Sequence, residues 1–358
     1  MFDYNWTLKD ATFTKDKGTV FSCFACGGGS TMGYKLAGFD VIGCNEIDPK
    51  MADCYKANHN PKYCFVEPIQ TFKDRDDLPD ELYNLDILDG SPPCSSFSMS
   101  GNREKDWGKE KKFREGQAEQ VLDTLFFDFI ELGKKRQPKV IVAENVKGLI
   151  CGDAKVYVNN ILTEFDKAGY YVDYKLCNSA SMGVPQRRER VFFYAVRKDI
   201  YAGPFVDLFQ TQPLLNLDFD EREIPFRNIK TNGVRKPIQP AIVEAYEYCR
   251  RKKSPDFAKY FEDVHGKRKY FNTRLIFADA VCDTIKGECT HVIDGTAAYI
   301  NDAEILSAGS YPTDYDFCGS KPTYLVGMSV PPVMTAQVAT RIYDQWIEPI
   351  NAAEGRKA

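Results

Sequence analysis

The sequence predicts an α/β protein: a doubly wound parallel sheet with a second, smaller domain. Three observations carry this reading. Apolar runs of strand length alternate with helical stretches through the first half of the chain. A glycine cluster, Gly27-Gly28-Gly29, separates the first such strand from the first helix. From about Tyr201 the alternation stops, and prolines at 204, 213, 225, 237 and 240 interrupt an irregularly charged stretch.

The elements follow in order. Thr19 to Phe24 is apolar and β-prone, a buried strand. A helix follows from Ser30 to Ala37, and then a strand from Phe39 to Cys44 that ends at Asn45-Glu46-Ile47-Asp48-Pro49. Later strands fall at Leu85 to Leu88, Lys139 to Ala143, Tyr170 to Leu176 and Arg190 to Val196. Helices at Glu119 to Lys135 and Val156 to Ala168 connect them, and a C-terminal helix spans Thr335 to Ile347. The expected division is a catalytic domain of residues 1–199 plus 322–358 and a small domain of 200–321.

Composition narrows the functional class. The chain has 358 residues, ordinary apolar and charged fractions and a net charge of −4, so it is no general polycation. A local basic patch can still serve a nucleic-acid partner. No apolar run approaches the roughly 20 residues of a membrane helix, and the first residues lack the pattern of a secretory signal. Twelve scattered cysteines suit reduced thiols and a cytoplasmic setting. Cys23 and Cys26 form a lone C-x-x-C with no second pair, so no metal site is expected.

Chemistry gathers at predicted strand ends, where open α/β sheets bind their ligands. Pro92-Pro93-Cys94 follows a strand directly, and its two prolines fix the backbone that presents a thiol. Glu46 ends the second strand, about 20 residues beyond the glycine cluster, where a carboxylate can accept both hydroxyls of a ribose. The glycine spacing is not G-x-G-x-x-G, so an adenosine-type ligand without a pyrophosphate fits better than a dinucleotide. Glu144 ends another strand, and Gln186-Arg187-Arg188-Glu189-Arg190 opens a further one.

In this order the motifs resemble those of the DNA cytosine-5 methyltransferases over almost the whole chain. Phe24-Ala25-Cys26-Gly27-Gly28-Gly29 is similar to the S-adenosylmethionine loop, Pro92-Pro93-Cys94 to the nucleophile motif, and Glu144-Asn145-Val146 to the acid motif. Residues 186–190 resemble the arginine motif, Ala303 to Pro312 the segment leading to the last motif, and Gly327 to Pro332 that last motif.

The resemblance implies a Rossmann-like, S-adenosylmethionine-dependent methyltransferase sheet with a target-recognition domain. It also implies methylation of a flipped-out cytosine in a specific duplex DNA sequence. Cys94 would be the nucleophile, Glu144 and Arg190 would hold the ring, and Arg188 would support the target phosphate or loop. Phe24, Gly27, Gly29, Glu46, Ile47, Ile69, Pro93 and Leu125 would line the cofactor pocket. Three positions depart from the family pattern: Cys26 for a glycine, Pro68 for an adenine-reading aspartate and Met328 for an asparagine. They imply weaker cofactor binding with activity retained.

Two basic segments are candidates for DNA contact. One is a lid over Ser100 to Gln117, and the other is Arg250 to Lys253 with Lys267 to Lys269 among aromatics. Expected partners are double-stranded DNA and, as a candidate, a companion restriction endonuclease; the chain is expected to act as a monomer away from membranes. A tRNA methyltransferase on the same fold and a DNA-binding relative without activity are the open alternatives.

Overall fold

The computed structural model describes residues 2–93, 110–111, 120–121, 124–205, 213–270, 272–288 and 290–355. Its main sheet has seven strands: β1 (Thr19–Cys23), β2 (Asp40–Asn45), β3 (Tyr63–Phe65), β4 (Ile87–Gly90), β5 (Val140–Val146), β6 (Tyr170–Asn178) and β7 (Glu189–Arg197). They lie in the order β3-β2-β1-β4-β5-β7-β6. The first five of that order pair in parallel. β7 runs antiparallel to β5, with Phe192 opposite Glu144, which corrects the expectation of a wholly parallel sheet. An apolar run reports burial on both faces but not strand direction.

Helices α1 (Gly29–Leu36), α2 (Pro49–His59), α3 (Ile69–Phe72), α4 (Leu125–Arg136) and α5 (Lys155–Lys167) belong to the same unit. α2 starts where Asp48 accepts the Lys50 N–H at 2.9 Å and Pro49 takes the first helical position. α4 starts later than the sequence suggests. Gln120–Val121 instead pairs with Glu110–Lys111 in a short antiparallel ladder, so its backbone is committed elsewhere. A core containing Phe21, Phe72, Phe126, Phe129, Ile141 and Phe193 packs against the sheet. The strand order reverses between β1 and β4, which makes their carboxyl ends the switch point where such sheets take ligands. The predicted C-terminal helix is Pro332–Ile342, followed by a π-type turn at Tyr343–Ile347 and a helix at Glu348–Ala353. Pro349 has no N–H to continue the ladder, which accounts for that widened turn.

The chain divides into two compact units, residues 12–177, 189–218 and 336–358, and residues 1–11, 178–188 and 219–335. These bounds differ from those expected, for physical reasons. Trp6 Nε1 donates to Ser310 O at 2.9 Å, and the Leu8 and Lys9 N–H groups donate to the Asp314 carboxylate, so the first residues join the smaller unit. Gln186–Arg187 pairs with Cys282–Asp283 in that unit as well. Residues 213–218 go with the sheet, where Trp346 Nε1 donates to Leu214 O and Lys175 meets Asp218. The smaller unit has its own core around Tyr246, Cys249, Phe257, Tyr260, Leu275 and Val292.

Candidate active site

The loop from β1 to α1 is shaped by left-handed residues at every second position: Phe24 (φ 54°), Cys26 (φ 49°) and Gly28 (φ 86°). Gly28 is required there, because a Cβ would strike the His59 ring behind it. Cys26 adopts a glycine-like conformation despite its side chain, at a cost of roughly 1 kcal/mol. Buried His59 sits beneath this loop, with Nε2 3.3 Å from Gly27 O. Burial lowers its pKa to about 3, so the ring is neutral and its Nε2–H donates to that carbonyl.

Glu46 is buried at the end of β2, and its two oxygens are fixed by separate backbone donors. Cys26 N–H reaches Oε2 at 2.7 Å and Asp48 N–H reaches Oε1 at 2.8 Å. Burial raises its pKa, and those backbone donors oppose the rise. An ionised carboxylate has about four acceptor sites, so each oxygen can still take a hydroxyl. Asn45 next to it donates to Phe65 O at 3.3 Å and Glu67 O at 2.9 Å, which fixes the approach to Pro68 and Ile69. Pro68 caps α3 and offers no side-chain acceptor, while Ile69 and Leu125 are buried and Ile47 and Pro93 half-buried. A doubly anchored carboxylate, apolar side chains and a glycine-bearing loop fit an adenosine-type cofactor such as S-adenosylmethionine. Among the described residues no cluster suits a metal ion.

Arg190 Nε meets Glu144 Oε1 at 2.8 Å, and both side chains are largely buried. Arg190 Nη1 also donates to Glu189 O at 2.8 Å. Burial lowers the arginine's pKa while Glu144 opposes the shift, and a guanidinium stays charged throughout. Asn145 donates from Nδ2 to Pro92 O at 3.0 Å, tying the acid strand to the proline turn. Beside that turn, buried Asp89 accepts from Ser22 Oγ (2.7 Å), Ser30 Oγ (2.8 Å) and the Tyr34 hydroxyl (3.2 Å). Burial pushes its pKa up to about 6 against those bonds. Asp89, Asn145 and His59 received no role from sequence. The strand-end rule offered a signal for the first two, whereas the Ser22–Ser30–Tyr34 partners are set only by the fold. Cys94 and the lid expected over Ser100 to Gln117 lie outside the described residues, apart from the Glu110–Lys111 strand.

Arg188 is expected from the sequence to support the target phosphate or loop, and its described bonds are to backbone carbonyls. Its side chain is fully buried in the smaller unit, with Nη1 donating to Ile285 O at 3.0 Å and Nη2 to Gly327 O at 2.9 Å. Gly327 is needed for that approach, since a Cβ would collide with the backbone of Lys286 and Gly287. Met328 beside it is exposed.

The second basic segment is partly neutralised. Arg250 pairs with Asp294 at 2.7 Å and Arg268 with Asp256 at 3.0 Å. Arg250, Arg251 and Lys252 form the last turn of Val243–Lys252, where cations favour the helix dipole. The rings of Phe261 and Tyr270 stack at 4.9 Å.

Comparison with known proteins adds family evidence. A family model described as C-5 cytosine-specific DNA methylase matches residues 18–344. The type II methyltransferase M.NgoPII of Neisseria gonorrhoeae is 34% identical over 181 residues, which is 51% of this chain and 48% of that protein. M.FnuDI of Fusobacterium nucleatum is 36% identical over 186 residues, covering 52% and 49%. The chain thus spans about half the length of these curated relatives in the matched region. M.AplI of Arthrospira platensis is 25% identical over 336 residues, 90% of this chain and 85% of that protein. The Dnmt2 methyltransferase of S. pombe shares the fold, with a TM-score of 0.59 at 15% identity over 93% of this chain and 99% of its own. The DNMT2 of Spodoptera frugiperda does so with a TM-score of 0.60 at 15% identity, over 91% and 99%.

Proposed function

Because the chain belongs to the C-5 cytosine-specific DNA methylase family, we propose that it methylates carbon 5 of cytosine in a specific duplex DNA sequence. The observation that carries this reading is the Glu144–Arg190 pair, 2.8 Å apart at the strand ends of β5 and β7, with Asn145 holding the proline turn that leads to Cys94.

Carbon 5 of cytosine is a weak nucleophile until the ring is made enamine-like. The Cys94 thiolate adds to carbon 6, a covalent step that activates carbon 5. Glu144 holds ring nitrogen 3 and the exocyclic amine, and stabilises the ring as the thiolate adds. Arg190 orients Glu144 and donates to the oxygen at position 2, which both reads and polarises cytosine. Glu46, Ile47, Ile69, Leu125, Pro93 and the Phe24–Gly29 loop would hold S-adenosylmethionine, which would supply an electrophilic methyl group when bound. Loss of the carbon-5 proton and expulsion of the Cys94 thiolate restore the aromatic ring. A stacked base is out of reach of these groups, so the target is flipped out of the duplex.

A monomeric, cytoplasmic enzyme paired with a companion restriction endonuclease belongs to the same proposal. No helix among the described residues is long and apolar enough to cross a membrane. Bisulfite sequencing of DNA from cells expressing the protein tests the reading. It predicts 5-methylcytosine confined to one short sequence, and unmodified DNA from cells with confirmed soluble protein refutes it.

A further inference from the structure

We propose that Cys44 and Cys64 form a reversible dithiol–disulfide site on neighbouring strands, and that its closure weakens the hold of Glu46 on the cofactor. The two residues are direct partners in the parallel register of β2 and β3. Their sulfurs lie 3.6 Å apart. Parallel neighbours place Cα atoms about 4.8 Å apart, inside the range of about 4.4–6.8 Å that disulfides span. Only a short movement of the sulfurs separates contact from a bond.

The two thiols have different tasks. Cys64 is half-buried, so a small disulfide can reach it, whereas Cys44 is fully buried against Ala25 and Tyr55. The Cys44 S–H donates to Cys64, which favours the Cys64 thiolate and lowers its pKa, helped by Lys56. The same bond and burial raise Cys44. Cys64 is therefore the attacking sulfur and Cys44 the resolving one.

The chemistry balances with a low-molecular-weight disulfide as oxidant. The Cys64 thiolate attacks one sulfur of glutathione disulfide, breaks its S–S bond and expels one glutathione thiolate. Cys44 gives its proton to that thiolate, attacks Cys64 Sγ and expels the second glutathione as a thiolate, which takes up the proton that Cys64 released to solvent on ionising. Two protein thiols lose two electrons in total, and one glutathione disulfide becomes two thiols.

Closure acts on the ribose carboxylate through a short path. β3 is a three-residue strand at the sheet's edge. Glu46 N donates to Phe65 O at 3.0 Å, one residue after Cys64, and Asn45 donates to the same carbonyl. Drawing Cys64 toward Cys44 shifts this bonded pair of strand ends. A partly exposed bond at a sheet edge is also readily reduced again.

The effect on the cofactor rests on the proposed function, but the disulfide does not. The test equilibrates the full-length protein with reduced and oxidised glutathione in varied ratio, blocks free thiols, maps linked peptides by mass spectrometry and titrates S-adenosylmethionine calorimetrically. The expected result is a Cys44–Cys64 linked peptide and a Kd at least ~10-fold higher, about 1.4 kcal/mol, both reversed by dithiothreitol. Cys64→Ser is expected to keep the reduced protein's affinity under oxidation, which separates this pair from modification of Cys94. Absence of the linked peptide under the most oxidising ratio, unchanged affinity once it has formed, or an equal loss in Cys64→Ser overturns the proposal. Failure of the fully reduced protein to bind S-adenosylmethionine instead overturns the cofactor reading, while the linked peptide still decides the disulfide.

Discussion

Replacing Arg188 separates a structural clamp from a catalytic cation. Its guanidinium bridges Ile285 O at 3.0 Å and Gly327 O at 2.9 Å, and the side chain is fully buried. Each bond has a charged donor, worth about 1.5–3 kcal/mol in a protein. Arg188→Ala removes both bonds, leaves two carbonyls without a donor and opens a cavity, for a loss of about 3–5 kcal/mol. Arg188→Lys keeps one point donor for two diverging acceptors and loses about 2 kcal/mol. Urea unfolding of the two variants measures the losses, and methyl transfer at a temperature where both remain folded gives kcat per folded molecule. The clamp predicts that Lys retains kcat within about threefold, because the two bonds it replaces end on backbone carbonyls. Wild-type stability in either variant, combined with a kcat loss of ~100-fold or more, refutes the clamp and restores a catalytic role.

Further predictions concern the cofactor loop and its support. Glu46→Gln loses one acceptor for the ribose and raises the S-adenosylmethionine Kd by ~10–100-fold, with kcat at saturation changed far less; calorimetry and saturation kinetics check this. Gly28→Ala forces a Cβ into the His59 ring at a φ of 86°, and thermal unfolding should show a loss of about 2 kcal/mol or more. Burial pushes the Asp89 pKa up to about 6 in the fold, from an ordinary 3.8. The native state therefore binds the extra proton between those values, and this group's contribution falls as pH rises from about 4 to 6, by up to about 3 kcal/mol. His59 works in the opposite sense, since its folded pKa of about 3 lies below 6.5 and its contribution is lost as pH falls through that window. Asp89→Asn removes the first effect alone, so its stability relative to wild type should rise from pH 4 to pH 6 in urea titrations; a pH-independent difference counts against the buried-charge account.

The strand ends were legible because buried parallel strands read as apolar runs, and polar residues that close them stand out. That logic places Glu46 and Glu144 at strand ends from the sequence alone, and motif order links Glu144 to Arg190. The pairing of Phe192 with Glu144 was not legible, since β7 runs opposite to its neighbour and a run of apolar residues carries no direction. The burial of Arg188 was not legible for a related reason. In Gln-Arg-Arg-Glu-Arg every charge looks solvated, yet Arg188 is buried against two carbonyls that lie about 100 residues or more further along the chain. The Asp89 network was equally hidden. Ser22, Ser30 and Tyr34 are ordinary residues until β1, α1 and β4 bring their hydroxyls onto one carboxylate.

The most direct test of the central claim is covalent trapping on duplex DNA in which 5-fluorocytosine replaces cytosine. With S-adenosylmethionine present, carbon 5 then carries a fluorine that cannot leave as a proton does, so the Cys94 adduct persists in denaturing gels. The account predicts such an adduct for the wild type, none for Cys94→Ala, and formation slowed by ~10²–10³-fold for Glu144→Gln. A wild-type protein that forms no adduct, or a Cys94→Ala variant that forms it equally well, contradicts the account.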